Sequence, residues 1–489
     1  MKLSSFAAGL VAVLALLPGP SADGARVTEA EAIRIAEWWY AAEVNAATTP
    51  LPAAEKQARV ASKNKHDVSY ILGRDNWQPA RQAGDDVAAY VVAFQPSGFV
   101  VVSGEDALQP VLVFNALGSF QWKGGPLTNY FSYYLGRCVV GAVEQARARP
   151  AAAQSTHANW IRVRDLLKNG ITQPTKSGGS STNRPSGPNP ADSGSSYVLL
   201  PTATWNQGNH YNNVCVADNG GIPVPTGCVA TALAIKMRFH QWPWNGFGSH
   251  SYNNSLTNSA GTLFTLTQSV NYASQSYNWY NMPTNDLTAD NADVANLMYD
   301  AGVAVDMDYG LTGSGAWNSG QDPSPAFNEF FRYRGTYVNN SSTPSDHTNA
   351  LAYCIQCRVP VVIGTDNHCL VACGYRDTMA PYYFINCGWG GSENNWYYLD
   401  GLPAPSTPTI NGSLPYSIPD NYAYADAAAA SGGNGELQTP YRTFASGQSG
   451  VSSSGFLWLK AGQYTGNAGL VLSKPMTINS YLGAATISQ

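Results

Sequence analysis

Charge is scarce in this sequence. Asp, Glu, Lys and Arg together make up 12% of 489 residues, and the formal net charge is -5. No basic run is present, so nucleic acid is not an expected partner. Long apolar runs are scarcer still. The stretch Phe6–Leu17 is too short to cross a bilayer, and no membrane span is expected. Lys2 before it, with Pro18, Pro20, Ser21 and Ala22 after it, gives the three regions of a secretory signal, cleaved near Ala22. What is abundant is neutral: 28 Tyr, 13 Trp and 47 Gly, with frequent Asn and Ser. That balance suits an extracellular protein. Eight cysteines in an exported chain make disulfides the default expectation. Seven of them lie between Cys215 and Cys387, an even six if one thiol is kept free, and their connectivity is not readable from spacing.

The chain divides by composition. After the signal (1–22), Thr28 and Glu31 form a capping box for a helix to about Val44. Strand-like runs follow at 88–115, broken by Pro96-Ser97-Gly98 and Gln109-Pro110, and helical patterns return at 126–146 and 156–168. This is an α+β unit spanning 23–172. Residues 173–196 are rich in Gly, Ser and Pro and read as a flexible, cleavable linker. A second α+β unit covers 197–405, with helices near 288–302 and 347–357 and strands at 360–363, 369–374 and 382–386. The last piece, 406–489, carries short strands that resemble rungs of a parallel β-helix, too few to bury much core alone.

Chemistry points first to TGCVATALAIKMRFHQWP at 226–243. Apolar residues recur at helical spacing from Val229 to His240, and Pro243 ends the run. Cys228 therefore sits at a helix start, where unpaired N–H groups favour a thiolate. The bland alternative is a small buried hydrophobe. A thiol nucleophile needs a base, and histidine suits neutral pH best. Of the seven histidines, His240 lies more than three turns along the same helix and cannot reach. His66, His157, His210, His250 and His347 lie in polar contexts. His368 opens the strand CLVACGY just after a tight turn, a rigid position beside a cleft. A zinc site built from Cys354, Cys357, His368, Cys369 and Cys373 is a competing reading. It is weakened because His368 and Cys369 point to opposite faces of a strand.

The segments TWNQGNHYN, TGCVATALAIKMRFHQWPWNGFGSHSY, DAGVAVDMDYGLTGSGA, NHCLVACGY and YYFINCGWGG occur in an order that resembles the streptopain family of papain-like cysteine peptidases. The resemblance implies a papain-like domain at 197–405, protein or peptide substrates and no cofactor or metal. It makes Cys228 the nucleophile, His368 the base and Gln207 a donor to the oxyanion. It assigns Ser314, Asn367, Tyr309, Gly310 and Trp389 to the substrate cleft. Asn386 is left with two readings, orienting the imidazole or holding the turn. SGFVVVSGEDALQPVL resembles the family's propeptide, which implies an inhibitory role for 23–172 and activation by cleavage in 173–196. Three positions depart from the family: Cys387 stands where a tryptophan shields the histidine, Asn367 replaces glycine and Cys369 replaces alanine. A disulfide from Cys387 to Cys373 or Cys215 is expected to compensate for the lost tryptophan. The rival reading is a secreted, catalytically impaired binding protein on a peptidase fold.

Overall fold

A computed structural model describes residues 26–46, 49–72, 79–83, 86–120, 134–148, 156–169, 197–215, 223–258, 260–316, 322–335, 337–339, 344–365, 368–377, 379–399 and 410–488. The signal at 1–22, the linker at 173–196 and Asn367 lie outside them. The architecture mixes α-helices with a large antiparallel sheet. Thr28 caps the helix Glu29–Asn45 by accepting the Glu31 N–H, as the capping box predicts. That helix buries Ala32, Ile35, Ala36 and Trp39 against the strands His66–Leu72, Val87–Phe94, Phe99–Ser103 and Val111–Asn115. The expected turn at Pro96-Ser97-Gly98 falls between the second and third of these, with Gly98 at φ +107°. The helix expected at 347–357 runs Pro344–Gln356, starting three residues earlier.

The second unit supplies Tyr197–Leu199, Val338–Asn339, Val361–Thr365, Cys369–Asp377, Pro381–Asn386 and Asn395–Tyr398, and the segment after it adds Ile410–Leu414. Its helix Cys228–His240 packs across the strand Cys369–Asp377. The two units do not fold as separate sheets. Phe114 pairs with Trp396 and Val113 with Tyr397, which joins both sets of strands into one eleven-stranded sheet. A composition-based boundary could not reveal this, because the pairing uses the edge strand of each unit.

Aromatic side chains fill the junction. Trp39, Phe114 and Tyr382 meet edge to face at 5.2–5.6 Å, contacts each worth about 0.5–1.5 kcal/mol beyond burial. Beneath them the Arg376 guanidinium pairs with the buried Glu43 carboxylate and lies over the Phe114 and Trp396 rings. Gln109 donates to the Tyr382 hydroxyl, and the Tyr134 hydroxyl donates to the Tyr398 carbonyl.

The C-terminal strands Tyr422–Ala425, Gly455–Tyr464 and Met476–Ile487 run parallel. They are not a free-standing tail. Tyr424, Leu437 and Tyr481 are buried in the same core as the Cys228 helix. Tyr353 donates to the Leu437 carbonyl, the Arg334 guanidinium to the Tyr422 carbonyl, and Arg332 pairs with Asp420. Strands too few for a solenoid thus complete a neighbouring core. Among the described residues no helix is long and apolar enough to cross a membrane.

Candidate active site

Gly227 precedes Cys228 for a steric reason. Its φ is +86°, and a Cβ there would come within 2.7 Å of the Met307 sulfur and 3.0 Å of the Ser314 carbonyl oxygen. Only glycine accepts both constraints without strain. The loop pressing on it is closed by paired backbone bonds between Asp308 and Gly315. The Ser314 hydroxyl donates to the Pro225 carbonyl at 2.6 Å and accepts the Gly310 N–H at 3.3 Å. Ser314 and Gly310 therefore border the start of the Cys228 helix. Tyr309 does not line the cleft. It is buried, its backbone is clamped on both sides by the Asn254 side chain, and its hydroxyl packs against Gly302. Alternation along the loop turns it inward, so its expected contact with substrate is replaced by a supporting role. A Gly227→Ala variant is expected to lose about 2–4 kcal/mol of stability through the positive φ and the Met307 clash. It should also lose most of its activity, both read by thermal melting and a peptide assay.

Cys228 lies in the first turn of its helix and is partly buried. Burial pushes its thiol above the ordinary range. The backbone N–H groups of Cys369, Cys228 and Val229 face the sulfur and pull the other way. The helix-start argument alone favours a thiolate; in the folded chain burial outweighs it. The nearness of the Cys369 N–H also locates the sulfur, because Cys369 immediately follows His368.

Thr365 fixes the backbone at His368. Its N–H and hydroxyl both donate to the His368 carbonyl, at 2.8 and 2.9 Å. The imidazole stacks on Trp389 with ring centres 4.2 Å apart and planes 16° apart. Its Nε2 lies 2.9 Å from the Cys387 carbonyl oxygen. A carbonyl only accepts, so in this bond Nε2 carries the proton and Nδ1 keeps its lone pair. Burial drives the His368 pKa down to about 4, with the Cys387 carbonyl opposing the shift.

Asn386 does not touch the imidazole. Its amide donates to the Thr202 hydroxyl and the Ala203 carbonyl, and its Oδ1 accepts the Gly388 N–H. Of its two readings, the turn-holding one describes these contacts. The missing tryptophan at 387 is also resolved: Trp389, two residues on, covers the ring instead. Residue 387 contributes its backbone carbonyl, which any amino acid provides. Gly388, at φ +69°, lets the turn sit against Thr231 of the Cys228 helix. A Trp389→Ala variant is expected to admit water to the ring and raise the His368 pKa. The neutral base is lost as pH falls through that pKa, so the acid limb of a rate profile should move to higher pH.

Gln207 is held between these parts. Its carbonyl accepts the Thr226 N–H at 3.0 Å, and the neighbouring Trp205 carbonyl accepts the Gly390 N–H at 3.0 Å. The segment Trp205-Asn206-Gln207 thus bridges the loop before Cys228 and the turn that carries Trp389.

The disulfide expected at Cys387 is not formed. Its thiol lies 3.4 Å from the Glu393 carbonyl, and the cysteines at 215, 228, 354, 357, 369, 373 and 387 all stand as thiols. The Cys354 sulfur accepts the Tyr416 N–H. Among the described residues no group of three or more His, Cys, Asp or Glu is arranged to hold a metal. Other histidines are engaged elsewhere, His210 with Asp290 and His250 with Asp306.

The class is a cysteine-type peptidase, by the family that the segment holding Cys228 and His368 matches. Residues 205–397 match the model of the peptidase C10 family. The chain is 26% identical to streptopain of Streptococcus pyogenes over 349 residues, covering 66% of this chain and 77% of streptopain. It is 28% identical to the thiol protease/hemagglutinin PrtT of Porphyromonas gingivalis over 224 residues, 44% of this chain and 25% of PrtT. Two solved structures are also similar. A fragment of Prevotella intermedia prointerpain A is 20% identical, with a TM-score of 0.49 covering 71% of this chain and 97% of the fragment. Active interpain A cysteine protease from the same organism is 25% identical, with a TM-score of 0.38 covering 47% and 97%.

Proposed function

We propose that this protein is a secreted endopeptidase with a papain-like catalytic domain at 197–405, made as a zymogen. Cys228 attacks the scissile carbonyl carbon while His368 Nδ1 takes the thiol proton. The tetrahedral intermediate collapses to a thioester as His368 returns that proton to the departing amine. Water, deprotonated by the same nitrogen, then cleaves the thioester and releases the acid. The Gln207 amide and the Cys228 N–H are the donors for the oxyanion. Ser314, Gly310 and Trp389 border the cleft, the family resemblance assigns Asn367 to it as well, and the substrates are proteins or peptides. The observation that carries this reading is the imidazole itself. Nε2 is committed to a carbonyl, the ring is stacked, and the next residue's N–H faces the Cys228 sulfur. Coherent orientation of the ring speaks against a catalytically impaired binding protein.

Latency is part of the proposal. The segment 23–172 acts as propeptide, and cleavage within 173–196 releases the enzyme. The shared sheet supports this. The strand Val111–Asn115 pairs beside the catalytic strands, and Asn115 and Gly118 border the 390–395 loop that adjoins Trp389. Hydrolysis of a fluorogenic peptide by the uncut chain is expected to be at least about 10²-fold slower than after cleavage in the linker. A Cys228→Ser chain should remain uncut in the absence of other proteases. Equal activity in cut and uncut chains would refute latency.

A further inference from the structure

A peptide carbonyl aims a histidine only as rigidly as its own peptide plane is held. The Cys387 carbonyl belongs to the Cys387–Gly388 peptide, and glycine at φ +69° gives that plane little steric restraint. Hydrogen bonds must supply it. The N–H of the same peptide donates to Asn386 Oδ1 at 3.1 Å, and the Asn386 amide is anchored on Thr202 and Ala203. The preceding peptide, through the Cys387 N–H, donates to Asn394 Oδ1 at 2.8 Å. Asn394 reaches back across the turn 388–393 to do so. It is 9% exposed, and its own carbonyl is held by Asn115 Nδ2 at 3.0 Å.

We infer that Asn394 is a positioning residue for the base: with Asn386 it clamps both peptides at Cys387, so that one carbonyl holds His368 in its Nε2–H tautomer. This rests on the reading of His368 as general base. Without the Asn394 acceptor, the Cys387 N–H is buried and unsatisfied. The Asn386–Cys387 peptide rotates to find another partner, the backbone at Cys387 shifts with it and carries the Cys387 carbonyl of the next peptide off its line, and the imidazole loses the bond that keeps Nδ1 free. Asparagine suits the post because its amide oxygen accepts without adding charge beside the imidazole. An aspartate would keep the acceptor but favour imidazolium.

The test uses the linker-cleaved enzyme, with peptide kinetics, iodoacetamide alkylation of Cys228 and ¹⁵N chemical shifts of the His368 ring. Asn394→Ala should lower kcat about 10–100-fold and leave KM within roughly twofold, the pattern of a misplaced reacting group. It should lower the alkylation rate in parallel and abolish the Nε2–H signature. Asn394→Asp should keep that signature, recover much of kcat and move the acid limb to higher pH. Should the alanine variant not fold, Asn394→Ser carries the same expectation, its hydroxyl being too short to reach the Cys387 N–H. Wild-type kcat with an unchanged ring signature in a folded Asn394→Ala or Asn394→Ser enzyme would overturn the inference. His368→Ala run beside them separates the two readings: unchanged alkylation in that variant would refute the base, whatever Asn394 does.

Discussion

Replacing Cys228 with serine is expected to lower kcat/KM for peptide hydrolysis by about 10³-fold or more, and replacing His368 with alanine to do the same. A serine hydroxyl is a far weaker acid than a thiol, and an imidazole held at about 4 is too weak a base to activate it. The double variant should be little worse than either single one, because nucleophile and base act as one unit. The Cys228→Ser variant should melt near the wild-type temperature, since Cys228 is only partly buried and serine is no larger. The pH profile carries a second signature. Burial lowers the His368 pKa, so the neutral base persists below the ordinary histidine range. The rate should hold from neutral pH down to about 5 and fall as pH passes through about 4. A profile falling through about 6.5 would place the working histidine in water. A Cys228→Ser enzyme with near wild-type activity would remove the nucleophile assignment.

Ending the chain at Pro419 is expected to prevent folding of the catalytic unit itself. The truncation removes Tyr424, Leu437 and Tyr481 from the main core, and with them the partners of Tyr353 and Arg334. Fully burying three such side chains contributes about 5–9 kcal/mol, comparable with the whole stability of a typical domain, about 5–15 kcal/mol. The shortened protein should be insoluble or lack a cooperative melt, and it should not hydrolyse peptide after linker cleavage. A soluble truncated enzyme with wild-type activity would show that these strands are an appendage after all.

Local signals were legible in the sequence where one short segment decides the structure. The Thr28 capping box, the Pro96-Ser97-Gly98 turn and the Cys228 helix depend on neighbours within a few residues. The fixed backbone at His368 was legible too, because a histidine leading into a buried strand is held by that strand. Side-chain roles that depend on distant segments were not legible. Asn386 was a candidate to hold the imidazole, yet the ring turns to the carbonyl one residue on, a group with no sequence signature. The absent tryptophan at 387 looked like a loss because spacing along the chain does not show which ring folds back over His368. Tyr309 matched a cleft motif but turns into the core behind Gly302. The joined sheet and the buried C-terminal strands were invisible for the same reason: edge pairing and interdigitated aromatics are formed between segments hundreds of residues apart. An alternation toward buried tyrosines at Tyr422 and Tyr424 was the one available signal that these strands face another surface.

The central claim, that Cys228 is the nucleophile and His368 its base, is tested most directly by alkylating the native, linker-cleaved enzyme with a small neutral iodoacetamide and mapping the label by mass spectrometry. Cys369 and Cys387 are held as thiols by burial, well above the ordinary cysteine range, and should stay unlabelled in the folded protein. The label is expected on Cys228 alone, with a rate that falls steeply in His368→Ala and loses its acid limb there. Labelling of Cys369 or Cys387 ahead of Cys228, or a Cys228 rate indifferent to the loss of His368, would contradict it.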